Sequence, residues 1–443
     1  MTLKACIRAE QSVPRYTSYP TAPHFAPAVG PRTYAQWLEQ LDPAATLSLY
    51  LHVPYCAELC RYCGCHTKVV RRQEPIDAYA ALLAREIDLL AKLVAGRRVS
   101  AIHWGGGTPS TLGPDHLVTL CNRIAAIFDD RHMIEHAIEL DPRHIAPSLV
   151  DALARIGVDR VSLGVQTFSP RIQDAIGRRQ PQTVVERAVM LLRDAGIRHV
   201  NFDLMYGLPH QTERHLQNTI RAAHALRPSR IALFGYAHVP WFKTHQRLID
   251  AAALPGANER LAQAEAARGM LIALGYVPIG LDHFALPDDA LAQAAATGQL
   301  RRNFQGYTTD NADALIGLGA SAIGRLPQGF AQNAPDIAGY ARAIEAGQFA
   351  TGRGIALTED DRRRGRIIER LMCDFAADLD AVAPGEAFSD ALAALRPLAE
   401  DQLVRIAGRR IVVTESGRPF VRLVAAAFDA YLGRGTARHS RAV

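Results

Sequence analysis

Cys56, Cys60 and Cys63 stand four and three residues apart, with Cys65 two further on, in the run Cys56-Ala-Glu-Leu-Cys60-Arg-Tyr-Cys63-Gly-Cys65. Thiols at these spacings can converge on one metal centre, and iron–sulfur clusters are held by cysteine thiolates, usually four. Three ligands from one compact loop can leave one iron of a [4Fe–4S] cluster open to bind and activate a small molecule. A fully ligated cluster only stores or passes electrons. Zinc is the poorer reading, because its sites commonly draw paired Cys-x2–4-Cys motifs from two places and no second Cys or Cys/His pair completes one here. A disulfide framework fits no better, since only seven cysteines occur in 443 residues and Cys6, Cys121 and Cys373 are scattered. Cys65 has the spacing of a further ligand.

Thiols in a loop need a frame that brings them together. They follow an apolar run, Ser48-Leu-Tyr-Leu-His-Val-Pro-Tyr55, and from Leu47 to about Tyr276 short β-type runs alternate with helical patterns. Strands are expected at residues 47–53, 100–104, 137–140, 160–165, 199–204 and 230–234, and helices at 76–93, 114–128, 147–156, 183–195 and 213–226. Within residues 76–93, Leu82, Leu83, Ile87, Leu90 and Leu93 share a broad face at helical spacing. Strands separated by helices of this length imply parallel βαβ units with right-handed crossovers. Such units build a partial barrel, a full barrel or a doubly wound sheet. In each, function gathers beyond the carboxyl ends of the strands.

Polar residues and glycines do fall at those ends. The first strand leads to the cysteines, the second to Trp104-Gly-Gly-Gly-Thr-Pro109 and the third to Glu139-Leu-Asp-Pro142. The fourth ends in Gly164-Val-Gln166, the fifth in Asp203-Leu-Met-Tyr-Gly-Leu-Pro209 and the sixth in Tyr236-Ala-His238. Glycine lacks a β-carbon, so Gly105-Gly-Gly-Thr108 lets backbone amides approach a ligand closely; a tight turn also accounts for the three glycines. Glu139 at a strand end could accept hydrogen bonds from ribose hydroxyls, as acidic residues do in dinucleotide folds, or pair with an arginine. Arg178 has the fork geometry that suits a carboxylate. Tyr50 and His52 point to one face of their strand, which in a barrel is the lumen.

The Cys-x3-Cys-x2-Cys spacing resembles that of the radical S-adenosylmethionine enzymes. Cys65 and the segment Tyr16-Thr-Ser-Tyr-Pro20 narrow the resemblance to one family among them, the oxygen-independent coproporphyrinogen III oxidases of haem biosynthesis, across nearly the whole chain. The resemblance implies an α/β fold, a partial (β/α)6 TIM-like barrel with a smaller, mostly helical C-terminal domain. It implies Cys56, Cys60 and Cys63 as the iron ligands, with the open iron chelating the amino and carboxylate groups of the methionine end. It points to Gly106, Gly107 and Thr108 for the methionine amino group, Glu139 for the ribose, Tyr62 (often Phe in the family) for adenine, and Ala237 and Ile323 for the adenosine pocket. Gln166, Arg178 and Asp203, with Phe304 and Gln305, match positions around a second S-adenosylmethionine. Tyr50 matches a neighbour of the cluster or cofactor, and Tyr50 and Glu139 are the residues carried over to the chemistry. Residues 301–309 read otherwise as a loop.

The implied reaction starts with one electron passed from the reduced cluster to the sulfonium, which needs the low end of the cluster range of about −700 to +450 mV. The resulting 5′-deoxyadenosyl radical takes a β-hydrogen from a propionate of coproporphyrinogen III. Loss of carbon dioxide and one electron leaves a vinyl group, and two such events give protoporphyrinogen IX. A haem-carrying paralogue resembles the same barrel but usually lacks the second cysteine of Cys63-Gly-Cys65 and the Tyr16-Thr-Ser-Tyr-Pro20 extension; this chain has both.

A length of 443 residues suits one large domain with an appendage. The expected organisation is an N-terminal extension packing on the catalytic domain over 1–45, the catalytic domain over 46–355 and a helix-plus-ribbon domain over 356–443. In the last, residues 361–375 read as an amphipathic helix, 403–406 and 410–414 as a ribbon of winged-helix-like composition, and a final helix starts near Val421. No recognition helix rich in Arg or Lys accompanies the ribbon, so a lid or substrate-holding role fits better than DNA. Hydrophobic residues make up 49% and charged residues 21%, ordinary for a soluble globular protein. No stretch approaches the roughly 20 apolar residues that span a bilayer, and the first ten residues lack the apolar core of a secretory signal. A cytoplasmic protein without membrane partner is expected. The net charge of +6 is spread, apart from Arg362-Arg-Arg-Gly-Arg366 and the arginine-rich last ten residues, whereas nucleic acid wants a concentrated stripe. A mild positive field favours an anionic small substrate such as a tetra-carboxylate porphyrinogen. The remaining expected partners are a low-potential electron donor and an electron acceptor, and the family implies a monomer.

Overall fold

Alternation along the strands decides the architecture. In the computed structural model, which describes residues 7, 8 and 10–433, the six expected strands are β1 (Leu47–Val53), β2 (Val99–Gly106), β3 (Glu135–Leu140), β4 (Arg160–Gln166), β5 (His199–Tyr206) and β6 (Arg230–Gly235). Cys6 and the arginine-rich last ten residues lie outside the described residues. Leu47, Leu49, Leu51 and Val53 of β1 are buried in the main apolar core, as are Val161, Leu163 and Val165 of β4 and Val200, Phe202 and Leu204 of β5. Between them fall Ser48, Tyr50 and His52, then Arg160, Ser162 and Gly164, then Asn201 and Asp203. Successive side chains of a strand point to opposite faces, so the apolar set packs on the helices and the polar set lines the lumen. A doubly wound sheet covers both faces with helices; a polar inner face belongs to a barrel.

The helices expected between these strands are Gln73–Val94, Pro114–Ile127, Pro147–Arg155, Gln182–Asp194 and Glu213–Ala225. All neighbours from β1 to β6 pair in parallel. The sheet then extends past both edges of the six. Beyond β6 come the short strands β7 (Val277–Ile279) and β8 (His283–Ala285); beyond β1 come β9 (Ala314–Leu318), β10 (Ile323–Leu326), β11 (Gly329–Asn333) and β12 (Thr351–Ala356). The full order is β12-β11-β10-β9-β1-β2-β3-β4-β5-β6-β8-β7. β9 adds a seventh parallel strand beside β1, while β10, β11 and β12 follow as an antiparallel meander. Residues 301–309 are not simply a loop: Arg301–Asn303 and Gly306–Thr308 form a tight antiparallel hairpin.

The N-terminal extension divides between two cores. Val29, Tyr34, Trp37, Leu38 and Leu41 pack into the barrel's core. Val13, Tyr16 and Tyr19 instead join a second cluster with Ile367, Leu371, Leu395, Val424 and Phe428 of the C-terminal region. The helix Glu359–Asp374 opens that region with a reciprocal cap, in which Asp361 N donates to Thr358 Oγ1 at 3.1 Å and Thr358 N donates to the Asp361 carboxylate at 2.9 Å. The expected ribbon is Val404–Ala407 with Arg410–Val413, joined by Ala376–Asp378 into three strands, and the final helix is Val421–Ala426.

Candidate active site

The cysteine loop starts where β1 stops. Tyr55–Cys56 pairs in parallel with Lys68–Val69 and so closes the loop at its base. Each of the three spaced thiols then meets its own donor. Cys56 Sγ accepts from Thr67 Oγ1 at 3.2 Å and Thr108 Oγ1 at 3.4 Å. Cys60 Sγ, buried, accepts from Arg178 Nη1 at 3.4 Å, and Cys63 Sγ accepts from the Cys65 backbone N–H at 3.4 Å. Donors on sulfur are the usual surroundings of ligating thiolates, where they tune the cluster. Hydrogen bonding from Cys65 outweighs burial, which pushes the other way, and brings the Cys63 thiol down to about 6; the same contact holds the Cys65 thiol up. Cys65 itself is exposed.

A segment after β6 grips this loop from outside. Gln246 Nε2 donates to Tyr62 O at 2.9 Å, His245 Nε2 to Cys63 O at 2.8 Å and Lys243 Nζ to Cys65 O at 2.8 Å. Nothing in the spacing of these three residues announced the contact. His245 and Gln246 lie on one short 3-10 turn, Thr244–Leu248, and Lys243 immediately precedes it, a grouping visible only once the turn is folded.

The glycines at the end of β2 are required by their neighbours. Gly106 has φ of +111°, and a β-carbon there would lie 2.6 Å from the His52 ring. At Gly107 a β-carbon would lie 2.5 Å from both Tyr55 O and Thr67 Oγ1. Only a bare backbone fits between β1, the cysteine loop and the lumen. Gly107 N donates to Val53 O at 2.8 Å and Thr108 N to Tyr55 O at 2.7 Å, which sets Thr108 Oγ1 on Cys56.

Tyr50 and His52 do share the lumen face, with Tyr50 Oη 3.1 Å from His52 Nδ1. Burial pulls the His52 imidazole down to about 4, so it is neutral at pH 7. Glu139 sits beside both: its carboxylate accepts from Gly106 N at 3.2 Å and lies 3.5 Å from His103 Nε2. Its second reading, a pair with a neighbouring arginine, is absent among the described residues; that role passes to Asp141. Burial pushes Asp141 up, but hydrogen bonds and charge from Arg143 and Arg178 outweigh it and hold the carboxyl at about 2. Arg178 donates to Asp141 at 3.1 Å and to Gly164 O at 2.7 Å as well as to Cys60, and its Nε is buried without a partner. The sequence showed Asp141 only within Glu139-Leu-Asp-Pro142; its turn bond from Arg143 N, at 3.0 Å, is the local signal that could have found it.

Asp203 lies on β5, whose neighbour β4 aligns Gly164 with it. Burial first, and then the charge of Glu139, pushes its carboxyl up to about 7 against the pull of His103 and Arg178. Gln166, at φ of 65°, turns back so that its amide crowds the position of Gly164. Tyr62 packs near Met205, Tyr236 and Ile249, and the carbonyl of Ala237 accepts from Gln246 at 3.3 Å. Ile323 sits on β10, its backbone tight against Gly317 of β9. Phe304 and Gln305 form the tip of the 301–308 hairpin. Phe304 packs on Phe25 and Phe330, while Gln305 faces a small cavity with Ser48, His103 and Thr308 and leaves Nε2 buried without a partner.

The fit to a cluster rests on the donor set. All six described cysteines are free, and three of them share one loop with donors aimed at sulfur. Among the described residues no three His, Cys, Asp or Glu side chains converge as single-ion ligands. A cubane takes one thiolate on each of three irons, so its ligands need not meet at one point. The residues present fit the group.

Comparison with known proteins agrees. Residues 50–223 match the family model of the radical SAM superfamily, and residues 357–420 match that of the HemN C-terminal domain. Fold and thiol loop thus define a radical S-adenosylmethionine enzyme, an oxidoreductase of a class that works with a [4Fe–4S] cluster and S-adenosylmethionine. The chain is 50% identical to the oxygen-independent coproporphyrinogen III oxidase of Bradyrhizobium diazoefficiens over 98% of this chain and 98% of that one. With the Escherichia coli enzyme of that name it shares 39% identity over 95% of this chain and 93% of that one. The solved structure of coproporphyrinogen III oxidase from Escherichia coli aligns with a TM-score of 0.90 at 38% identity, covering 95% of this chain and 100% of that one. The chain belongs to the family of oxygen-independent coproporphyrinogen III oxidases.

Proposed function

We propose that this protein converts two propionate side chains of coproporphyrinogen III into vinyl groups without oxygen, giving protoporphyrinogen IX. The observation that carries the reading is the thiol loop, each spaced sulfur with its own donor, set against three glycines at the mouth of a polar-lined barrel. Relatives bearing the oxidase name match the chain across nearly its whole length, the N-terminal arm included, which leaves the haem-carrier alternative unsupported.

In this reading Cys56, Cys60 and Cys63 hold the cluster, and Cys65 is kept for the site rather than for iron. Bound together, the cluster and S-adenosylmethionine supply a one-electron cleavage that yields a group able to abstract hydrogen from carbon. The protein's part is placement and exclusion of water. Gly106 and Gly107 admit the methionine end against bare backbone, with Thr108 fixing the neighbouring sulfur. Glu139 accepts from the ribose, Tyr62 stacks on adenine, and Ala237 and Ile323 wall the adenosine pocket. Tyr50, held by neutral His52, faces the same space. Gln166, Arg178 and Asp203 take a second S-adenosylmethionine with Phe304 and Gln305: the unpartnered Nε of Arg178 suits a carboxylate and the raised Asp203 a cation. Each vinyl group formed removes one β-hydrogen, one carbon dioxide and one electron, so an acceptor is needed beside a low-potential donor. We place the protein in the cytoplasm as a monomer. Among the described residues no helix is long and apolar enough to cross a membrane.

The test is anaerobic turnover of the reconstituted protein with coproporphyrinogen III, a reductant and S-adenosylmethionine, followed by mass spectrometry of the porphyrin. Loss of two carboxyl groups is expected. Intact substrate alongside tight haem binding would overturn the reading.

A further inference from the structure

Most of the chain's net charge collects around the cysteine loop. Residues 54–72 and 239–249 carry Arg61, Lys68, Arg71, Arg72, Lys243 and Arg247 against a single carboxylate, Glu58, a net +5 of the whole chain's +6. The two stretches are far apart in sequence, so the concentration escapes a reading along the chain. The grip of Lys243, His245 and Gln246 on the loop's carbonyls brings them together. Bordering carboxylates are engaged. Glu58 pairs with Arg143 at 2.6 Å and Asp174 with Arg179 at 2.5 Å, while Asp250 accepts from Ala252 N at 2.9 Å and Asp336 from Gly339 N at 2.6 Å. Glu74 lies in the first turn of the helix Gln73–Val94, where a carboxylate answers the helix dipole.

The same elements expose apolar surface. Eleven large apolar side chains are exposed among the described residues, and five of them fall here: Leu59 in the loop, Val69 on the strand that closes it, and Trp241, Phe242 and Leu248 on the gripping segment. Phe242, at 74%, is the most exposed of all. Lys243 stands 5.2 Å from the centre of that ring while it donates to Cys65 O. Single exposed apolar residues are ordinary, but a group of them mixed with arginines marks an interface, where Trp, Phe and Arg are enriched. Direction separates this surface from the lumen. Cys56 and Cys60 turn their sulfurs inward, to Thr108 and Arg178, whereas the gripping segment meets only the loop's carbonyls.

We propose that this apolar, basic surface docks an acidic electron-carrier protein, one bearing a low-potential flavin or iron–sulfur centre. The inference rests on the reading that the thiol loop holds a reducible cluster, and it names the donor's class and its place of contact. One electron leaves the carrier and enters the cluster; no bond forms or breaks and no proton moves. The cations steer an acidic partner to the loop, and the apolar side chains give the complex its contact area. A porphyrinogen has to reach the lumen, on the other side of the sulfurs.

The experiment uses the cluster-reconstituted protein without porphyrinogen and two acidic probes, a plant-type ferredoxin and a flavodoxin. Calorimetry gives the affinity of each oxidised probe, and stopped-flow bleaching of the cluster's visible absorbance gives the rate of reduction by each reduced one. At least one probe is expected to bind, less tightly as salt is added. Arg71→Glu and Arg247→Glu should each weaken binding and slow reduction roughly tenfold, and Phe242→Ser should weaken binding by a similar factor. Arg155→Glu, the same charge change at an exposed position on the helix Pro147–Arg155, should alter neither. Photoreduced 5-deazariboflavin, small and uncharged, should reduce all the proteins alike, which shows that loop and cluster are intact in each. Binding of neither probe, or affinity unchanged by both charge reversals, would overturn the proposal. So would charge reversals that raise only the KM for coproporphyrinogen III, or that abolish only sedimentation with phosphatidylglycerol vesicles, since the surface would then serve the substrate or a lipid. A cluster reduced as expected in a protein that leaves the porphyrinogen intact defeats the oxidase function; porphyrinogen turnover with unchanged carrier binding in the variants defeats this surface alone.

Discussion

The two ends of the barrel lumen are both polar and both buried, and they differ in whether their charges are answered. At the base, Arg160 donates to Glu135 at 2.8 Å and Asn201 at 3.0 Å and reaches Asp289 at 3.3 Å, while Arg230 donates to Asp289 at 2.7 Å. Asp289 also caps the helix Ala290–Ala296 through Leu291 N. One nitrogen, Arg230 Nη2, is left over. At the mouth, Arg178 keeps an unused Nε, Asp203 faces Glu139 with its carboxyl raised, and three thiols gather in one loop with donors aimed at sulfur. A polar network satisfied within itself is a plug. One left with mismatched groups is arranged for something else to complete it.

The comparison breaks first at sulfur. Cys60→Ser is expected to abolish the cluster's visible absorption after reconstitution, and turnover with it, while the melting temperature of the iron-free chain moves by only a few degrees. A large loss of stability would mean that the mouth also holds the fold together. The base should answer oppositely. Asp289→Ala leaves two buried guanidinium groups against one remaining carboxylate and should cost about 3–5 kcal/mol, read as a lower denaturant midpoint. A cost below about 1 kcal/mol would say the plug is no plug.

Gly106→Ala sharpens the contrast at smaller scale. A left-handed backbone costs a β-carbon residue about 1–2 kcal/mol, and the His52 ring must also give way. Stability should fall by about that amount, and S-adenosylmethionine affinity, measured by equilibrium dialysis on the reconstituted protein, should fall roughly tenfold or more. Affinity that matched the parent's would remove the glycines from the cofactor site.

Much of this frame was legible because both sides of each strand left a trace. Leu47, Leu49, Leu51 and Val53 alternate with Ser48, Tyr50 and His52, and the six strands and five connecting helices fall within a few residues of expectation. The apolar set had to meet helices and the polar set had to meet a lumen. What escaped were contacts made over long sequence distance. Ala314–Leu318 is short and glycine-broken, and becomes the seventh parallel strand only through β1. The 301–308 hairpin lacks an alternating apolar face, and Lys243, His245 and Gln246 grip the cysteine loop through its carbonyls, which carry no residue identity. Arg178 was legible as a fork; its joint hold on Cys60 and Asp141 was not, because those partners stand 118 and 37 residues away in the sequence.

The finest test of mouth against base is the sign of a pH slope. Asp203 is raised in the folded chain from 3.8 to about 7, so between those values the folded state binds more protons than the unfolded one. Stability from this group therefore falls as pH rises from about 4 to about 7 and then levels. Asp289 is held below its ordinary value, by Arg230 and Arg160 against burial, and contributes the reverse: stability present above about 4 and lost as acid protonates it. In the chain free of iron and cofactor, Asp203→Asn should raise the denaturant midpoint most at pH 8 and less at pH 5. Asp289→Asn should lower the midpoint at both. Bound S-adenosylmethionine carries positive charge and should draw Asp203 back toward its ordinary value, so the gain from Asp203→Asn should shrink when the cofactor is added. A gain that stays the same at saturating cofactor would place Asp203 outside its reach.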